Sequence, residues 1–490
     1  MNYTIILAEF VKIIKVPLRF GRILGKWVLP MEIQPILYYS FLVGGEILAI
    51  SALLHMIATR RSPSSMIAWM LAIFVFPYVA VPFYFLFGHR KLIKRYQKFP
   101  FSLRPVETEE TETIHPIQKL LLANGIPPPS RNNRFELLDS PTDVYEAMRE
   151  RIERAERSID ICVYQFTLDE TTRPLLDLLC KRAGEGVRVR LLLDSIGSLR
   201  LYLFGGALER LKRKGGQVAF FMPFLRLPLR NFVNLRNHRK IFIFDETVLF
   251  TGGMNLSKAY FCKDAHQTTY TDFLCRIEGV ATHFYAQIFA MDWAFATQTE
   301  PKMPEPPKGS FGSASIQVIP SGPDTPTEAL VEALLSLIYG AAERITIVTP
   351  YFVPNEEFMQ ALVIALHRGV KVTVVVPERS DHTISDIGRG SYLRELSSKG
   401  GEILLHRGKT LHAKAILFDG DCASVGSVNF DNRSLFYNFE AVSFVYSRNE
   451  IGAIERWMER IAAESVPYAA SDNLLATHTE NLMRILAPLV

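Results

Sequence analysis

Two copies of one polar phrase stand far apart in the chain. His238-Arg239-Lys240 is followed by Asp245, Gly252, Gly253 and Asn255, and His412-Ala413-Lys414 by Asp419, Gly426, Ser427 and Asn429. In each copy the Lys comes two residues after the His, the Asp seven, the first Gly fourteen and the Asn seventeen. A lone His-x-Lys says little, because two polar residues alternating on a strand are usually an exposed edge; two copies with matched spacing point to a duplicated site. Residues two apart on a strand share a face, so His238 and Lys240 point together, as do His412 and Lys414. If the copies meet, two imidazoles and two ammonium groups converge, a set suited to transfer at a phosphodiester. One imidazole attacks phosphorus and forms a phospho-histidine; the other protonates the departing alcohol and then deprotonates the acceptor. The lysines, with the side chains of Asn255 and Asn429, would neutralise and hydrogen-bond the non-bridging oxygens. Neither a metal nor another cofactor is expected, since the lysines supply the positive charge and no carboxylate cluster suited to Mg²⁺ accompanies the phrase.

A nucleophilic His needs one nitrogen held and the other free. Asp245 and Asp419 complete the phrase and are counted with the catalytic set. Yet each lies an odd number of residues from its His, and strand parity turns it to the other face, where it would serve structure or support. The better candidates for orienting the imidazoles are Asp272, in Tyr270-Thr271-Asp272-Phe273, and Glu440, in Asn438-Phe439-Glu440. The expected pairing is Asp272 with His238 and Glu440 with His412. Arg433 and Ser434 offer either a substrate contact or a turn ion pair.

The elements that must position these residues repeat as well. Ser158–Tyr164 (SIDICVY), a helical stretch and Val187–Asp194 (VRVRLLLD) are matched by Arg344–Tyr351 (RITIVTPY), a helical stretch and Val370–Pro377 (VKVTVVVP). Strand, helical crossover, strand predicts an α/β fold with parallel or mixed sheets. The His-Lys strands are expected at Arg239–Phe244 and Ala413–Phe418. The expected domains are residues 131–296 and 316–490, joined by a Pro-, Gly- and Ser-rich linker at 297–315. They are expected to pack as a pseudo-two-fold pair.

The N-terminal part differs. Ile36–Ile57 is apolar apart from Glu46, and Met66–Phe87 is apolar throughout. Each has roughly the 20 residues a helix needs to cross the hydrocarbon layer, so residues 31–98 are expected to form a two-span transmembrane hairpin. Residues 1–30 are basic and amphipathic, suited to a membrane surface, and 99–130 form a linker with an acidic run, Glu107–Thr113. Basic residues flank both spans, with only Arg60 and Arg61 between them, which places both ends and the catalytic domains in the cytoplasm. The five cysteines (Cys162, Cys180, Cys262, Cys275, Cys422) form no CxxC pair and are expected to be free thiols. Phe221–Val233 alternates bulky apolar residues with Arg226 and Arg230, and fits either a membrane contact at the site entrance or a buried strand and loop. A net charge of +5 is mild, and with a membrane anchor it speaks against nucleic acid as the partner.

The doubled phrase resembles that of the phospholipase D superfamily, and within it the chain is similar to bacterial cardiolipin synthases. The likeness runs nearly end to end. It takes in Ala68-Trp69, Pro77-Tyr78, Arg236-Asn237-His238-Arg239-Lys240-Ile241, Gly252-Gly253-Met254-Asn255 and Leu411-His412-Ala413-Lys414. It continues through Gly426–Ser434 (GSVNFDNRS), Asn438-Phe439-Glu440 and the closing Leu486–Val490. Tyr270-Thr271-Asp272 departs from the Trp-Arg-Asp common in that family, but keeps the Asp. The resemblance implies a membrane-bound phosphatidyltransferase of the inner membrane, acting on phosphatidylglycerol in an anionic phospholipid bilayer. One phosphatidylglycerol gives its phosphatidyl group to the enzyme and releases glycerol; the head-group hydroxyl of a second accepts it, giving cardiolipin. By the same resemblance His238 is the nucleophile and His412 the acid/base. A hydrolase, a transferase with another donor or alcohol, and a non-enzymatic lipid-binding protein are the alternatives; the oligomeric state stays open, a homodimer included.

Overall fold

The computed structural model describes residues 33–58, 63–87, 99–106, 115–223, 234–470 and 474–486. The basic segment 1–30, the acidic run 107–113 and most of 221–233 fall outside these, so the expectations placed on them do too. The described chain divides into an N-terminal unit, Met1–Gly88, and a unit His89–Val490.

The N-terminal unit is helical: α1 (Ile33–Ala58), α2 (Pro63–Val75) and α3 (Pro77–Phe87). The expected second span is therefore not one helix. Phe76 is non-helical and Pro77 starts a new helix, because proline lacks the N–H that would continue the ladder and its ring crowds the preceding turn. The pieces are 13 and 11 residues long. The first expected span is a single helix of 26 residues that carries Glu46 and His55. Among the described residues no helix is both long and apolar enough to cross a membrane. The unit buries only a small cluster, Ala52, Met56, Ile73, Ala80, Val81 and Tyr84. Its outside is apolar, with Phe74 82 %, Ile57 68 % and Phe76 66 % exposed.

The second unit is built on one fifteen-stranded mixed sheet. Its first half supplies β1 (Ser130–Leu138), β2 (Ser158–Val163), β3 (Arg188–Asp194), β4 (Gln217–Phe221), β5 (Ile241–Phe244), β6 (Val248–Gly252) and β7 (Leu274–Glu278). The second half supplies β8 (Ala314–Ser321), β9 (Arg344–Val348), β10 (Lys371–Pro377), β11 (Glu402–His406), β12 (Ala415–Phe418), β13 (Cys422–Gly426) and β14 (Glu440–Val445), with β15 (Ser465–Pro467) at the edge. From the centre outward the order is β1-β7-β6-β5-β2-β3-β4 on one side and β8-β14-β13-β12-β9-β10-β11-β15 on the other. The halves thus repeat each other about the antiparallel β1/β8 junction. In each, three parallel strands joined by helical crossovers continue into an antiparallel hairpin.

Alternation along the strands sorts the core. Ile241 and Ile243 enter a cluster shared by both halves, where they meet the nearly all-buried helix Val280–Thr297 and Trp457; Phe242 and Phe244 enter a cluster belonging to the first half. Ala415 and Leu417 join the shared cluster and Phe418 that of the second half. All five cysteines are free thiols, as expected, and all are buried.

Asp245 and Asp419 end β5 and β12 in left-handed turns, each with φ of 53°. Asp245 accepts from the backbone N–H groups of Glu156, Arg157 and Ser158; Asp419 accepts from those of Ala342, Glu343 and Arg344. Both therefore tie the end of the His-Lys strand to the start of its antiparallel neighbour, β2 or β9. They lie at the end of the strand remote from the His, so their place in the catalytic set is corrected: parity and the turn both direct them away. Each carboxylate satisfies three donors, and losing charged hydrogen bonds costs about 2 kcal/mol or more. Asp245→Ala should lower thermal stability by about that amount, measured by thermal unfolding of the full chain, with turnover per folded molecule retained.

Candidate active site

Each His-x-Lys pair sits in the extended stretch leading into β5 or β12, and each stretch pairs with the opposite half. Asn237 bridges Phe439 in parallel, His238 N–H donating to Phe439 O and Phe439 N–H to Arg236 O, both at 2.9 Å. Reciprocally, Thr410–Leu411 pairs in parallel with Tyr270–Thr271, with His412 N–H donating to Thr271 O at 2.8 Å. Each His is thereby delivered to the carboxylate of the other half.

The imidazole partners are consequently crossed relative to the sequence expectation. His238 Nδ1 lies 2.9 Å from Glu440 Oε1 and 3.1 Å from Oε2, and His412 Nδ1 lies 2.8 Å from Asp272 Oδ2. The four residues are those expected, but Asp272 serves His412 and Glu440 serves His238. Parity along one strand could not anticipate that each lead-in pairs across the repeat. With Nδ1–H donated to a carboxylate, Nε2 is the reactive nitrogen of each ring; that of His412 lies 3.1 Å from Lys414 Nζ and 3.5 Å from Tyr260 Oη.

The two carboxylates are held differently. Glu440 also accepts from the Ser427 hydroxyl and from Asn438 Nδ2. Burial would raise its pKa, but the contact with His238, the Lys240 charge and the Ser427 bond more than offset this and leave it lowered. Asp272 accepts from Phe273 N–H at 2.8 Å, and burial pushes it up to about 6 despite the opposing pull of Lys414. Gly253 is the counterpart of Ser427. A Cβ there would stand 2.4 Å from both Asp272 oxygens, so the glycine clears room for that carboxylate.

Lys240 is wholly buried, its Nζ donating to His238 O at 2.8 Å. Lys414 Nζ donates to His412 O and lies 2.8 Å from His412 Nδ1. Burial lowers both ammonium groups, that of Lys240 strongly and that of Lys414 to about 8. Burial likewise holds His238 neutral, down to about 4, with Lys240 and Lys414 acting in the same direction. His412 is pushed well down by burial, then by Lys414 and Lys240. The charges of each half thus act on the other, as one site.

Asn255 is committed within the protein, accepting from Gln165 N–H at 3.3 Å and donating to Tyr260 Oη at 3.0 Å. Asn429 is buried, and its Oδ1 has no partner among the described residues. Arg433 reaches across the repeat to the Asn234 side chain and carbonyl, both at 3.1 Å, while Ser434 N–H is capped by Asp431. Sequence reasoning missed the aromatic walls. Tyr164 stands edge-on to His238 at 5.2 Å, and Tyr260 and Tyr270 edge-on to His412 at 5.2 and 5.3 Å. Tyr270 had a usable signal, two residues before Asp272 on an extended segment; Tyr260 had none. Among the described residues no group of three or more His, Cys, Asp or Glu could hold a metal ion.

The family model described as cardiolipin synthase, phospholipase D-like domain, matches residues 148–293 and 334–462, and a phospholipase D–nuclease N-terminal model matches 47–89. The chain is 31% identical to cardiolipin synthase A of Pseudomonas aeruginosa (strain LESB58) over 468 residues, 92% of this chain and 94% of that one. It is 30% identical to the major cardiolipin synthase of Bacillus subtilis over 441 residues, 85% of this chain and 90% of that one. Among solved structures, phosphatidylserine synthase of Haemophilus influenzae shares the fold, with a TM-score of 0.56 at 14% identity, covering 76% of this chain and 96% of that one.

The charge states predict a bell-shaped pH profile for phosphoryl transfer. Activity should rise as Asp272 ionises near pH 6 and fall as Lys414 loses its proton near pH 8. Lys414→Arg should move the alkaline limb upward and leave the acid limb in place, as read from kcat/KM against pH.

Proposed function

The chain belongs to the cardiolipin synthase family of phospholipase D-like proteins, and on that premise we propose that it is a membrane-bound phosphatidyltransferase making cardiolipin from two phosphatidylglycerol molecules with release of glycerol. The observation that carries this reading is the pair of buried imidazoles, each held at Nδ1 by a carboxylate of the opposite half, with a buried lysine beside each.

His238 Nε2 attacks the phosphorus of the first phosphatidylglycerol. The P–N bond forms, the P–O bond to glycerol breaks, and His412 Nε2 gives its proton to the leaving oxygen. The arriving phosphodiester is an anion and offsets the lysine charges that help hold His412 neutral, so its imidazolium forms as substrate binds. A hydroxyl of the second phosphatidylglycerol then gives its proton to His412. Its oxygen attacks phosphorus, the P–N bond breaks, and His238 is regenerated. Lys240 and Lys414 stabilise the charge on the non-bridging oxygens, and Asn429, whose buried Oδ1 is an open acceptor, is the better placed of the two asparagines to take a hydrogen bond from a substrate hydroxyl. The assignment of His238 as nucleophile follows the family resemblance and accords with the more fully anchored Glu440 behind it.

The N-terminal unit supports attachment to a membrane. Its exposed face carries Ile47, Ile57, Ile67, Leu71, Phe74 and Phe76, apolar area that only lipid or another apolar surface would cover. In this reading the unit seats in the inner membrane as a helical hairpin, its second arm broken at Phe76. The flanking basic residues keep the catalytic unit on the cytoplasmic side.

Incubating the full chain with head-group-labelled phosphatidylglycerol vesicles should yield cardiolipin and free glycerol; phosphatidic acid as the main product would instead make it a hydrolase. His238→Ala and His412→Ala should each lower transfer by roughly a thousand-fold or more. His412→Ala should still accumulate acid-labile phosphatidyl label on the protein when given a donor with a good leaving group, and His238→Ala should not.

A further inference from the structure

The repeat makes the two ends of the site comparable, and they differ in charge. The aromatic neighbour of His238 is Tyr164, at the end of Ser158–Tyr164, and Asp194, Arg433 and Arg236 all stand close enough to act on its hydroxyl. The equivalent residue in the second half is Tyr351, at the end of Arg344–Tyr351. Its hydroxyl donates to Asp381 Oδ1 at 2.5 Å, and the Tyr270 hydroxyl donates to Asp381 Oδ2 at 3.0 Å. The Tyr270 ring is the one that stands edge-on to His412. Asp381 itself is exposed, in the loop between β10 and the helix Thr383–Ser398.

The loop in the corresponding place of the first half follows β3 and contains no acid in Ser195–Ser198. The acid preceding it, Asp194, is 1 % exposed, paired with Arg236, and accepts from the N–H groups of Ile196, Gly197 and Asn237. One end of the site therefore has, beside its tyrosine, a buried Asp194–Arg236 pair with Arg433 as the cation in excess, and the other an accessible carboxylate. A carboxylate next to a phosphate-binding centre repels the phosphate and any anionic group. It favours hydroxyl donors, and after accepting from two tyrosines its oxygens retain free lone pairs.

We propose that Asp381, held in place by Tyr351 and Tyr270, is the alcohol subsite of the enzyme: it accepts hydrogen bonds from an uncharged polyol head group beside His412 and discriminates against alcohols that carry a carboxylate. The proposal rests on the phosphatidyltransferase reading and deepens it. Glycerol leaves from this end in the first half-reaction, and the glycerol head group of the second lipid enters there in the second. The cationic end, beside His238, takes the phosphatidyl phosphate. Asp381 is a specificity residue that touches substrate; Tyr351 and Tyr270 position it.

The test compares the full-length wild type with Asp381→Asn and Tyr351→Phe in detergent–lipid micelles. A phosphatidyl ester of p-nitrophenol, whose leaving group carries no aliphatic hydroxyl, reports formation of the covalent intermediate; phosphatidylglycerol, free serine and free ethanolamine compete as acceptors. Losing a hydrogen bond to a charged group should raise the KM for the phosphatidylglycerol acceptor roughly ten- to a hundred-fold in Asp381→Asn, with kcat far less affected. The nitrophenolate burst should persist, and the share of product on serine should rise. Tyr351→Phe should act in the same direction and more weakly. Equal losses in burst and transfer would indicate general damage and overturn the assignment, as would unchanged acceptor KM and selectivity, or a loss confined to ethanolamine. A wild type that makes no cardiolipin would overturn the transferase reading and this inference with it; cardiolipin made equally well by wild type and Asp381→Asn would overturn this inference alone.

Discussion

Two short parallel pairings between the halves hold the site together. The lead-ins to β5 and β12 each form a strand-like backbone pairing with the opposite half. Each lies beside the segment carrying the other half's carboxylate, and the backbone N–H of each His is fixed by a carbonyl of that segment. The imidazole, its carboxylate and the peptide groups around them are therefore set by the same few hydrogen bonds. Buried polar groups must be satisfied, and here the satisfaction of the backbone positions the reacting side chains. Arg239, on the alternate face from His238 and Lys240, extends the arrangement: it is fully buried, pairs with Asp292 and donates to Glu440 O. The other side of the first lead-in thus grips the residue that orients His238.

Burying two lysines and two histidines against two carboxylates crowds ionisable groups into a dry place. Burial depresses the basicity of the histidines and of both lysines, and at the histidines the lysine charges add to it. The arrangement is costly while empty and relieved by an anion, which is what a phosphate site requires. Burial makes each lysine contact stronger than it would be in water. The repeat supplies the two-sidedness of a transfer reaction, and small breaks in it supply direction. Glu440 with Ser427 faces Asp272 with Gly253, and Tyr164 with its arginines faces Tyr351 with Asp381.

The N-terminal unit shows the reverse economy. Its apolar residues outnumber the places inside it, so they cover its surface. A hydropathy reading of this segment sees an unbroken apolar run through Met66–Phe87; backbone geometry sees Pro77. Proline does not change the run's affinity for lipid, but it divides the helix.

From the residues alone came the doubled His-Lys phrase, the pair of α/β repeats, the phosphate chemistry and the identity of the four residues now seen at the imidazoles. These were legible because they rest on spacing and parity, which are local. Parity also turned Asp245 and Asp419 away from their histidines, although the turn they close, with its left-handed backbone, needed coordinates to be seen. The partner of each imidazole was not legible. Asp272 is 34 residues from His238 and Glu440 is 28 from His412, so proximity in the chain suggested the wrong match in both. The observed partners are separated by 140 and 202 residues. Such contacts depend on how two half-sheets join at β1 and β8 and on which backbone edges that junction leaves open. Tyr260 and Asp381 were silent for the same reason: nothing in their local sequence distinguishes them, and only tertiary packing brings Tyr260 to His412 and Asp381 to Tyr351 and Tyr270. Chain-local chemistry determined what the site is made of; the closure of the repeat on itself decided which group serves which.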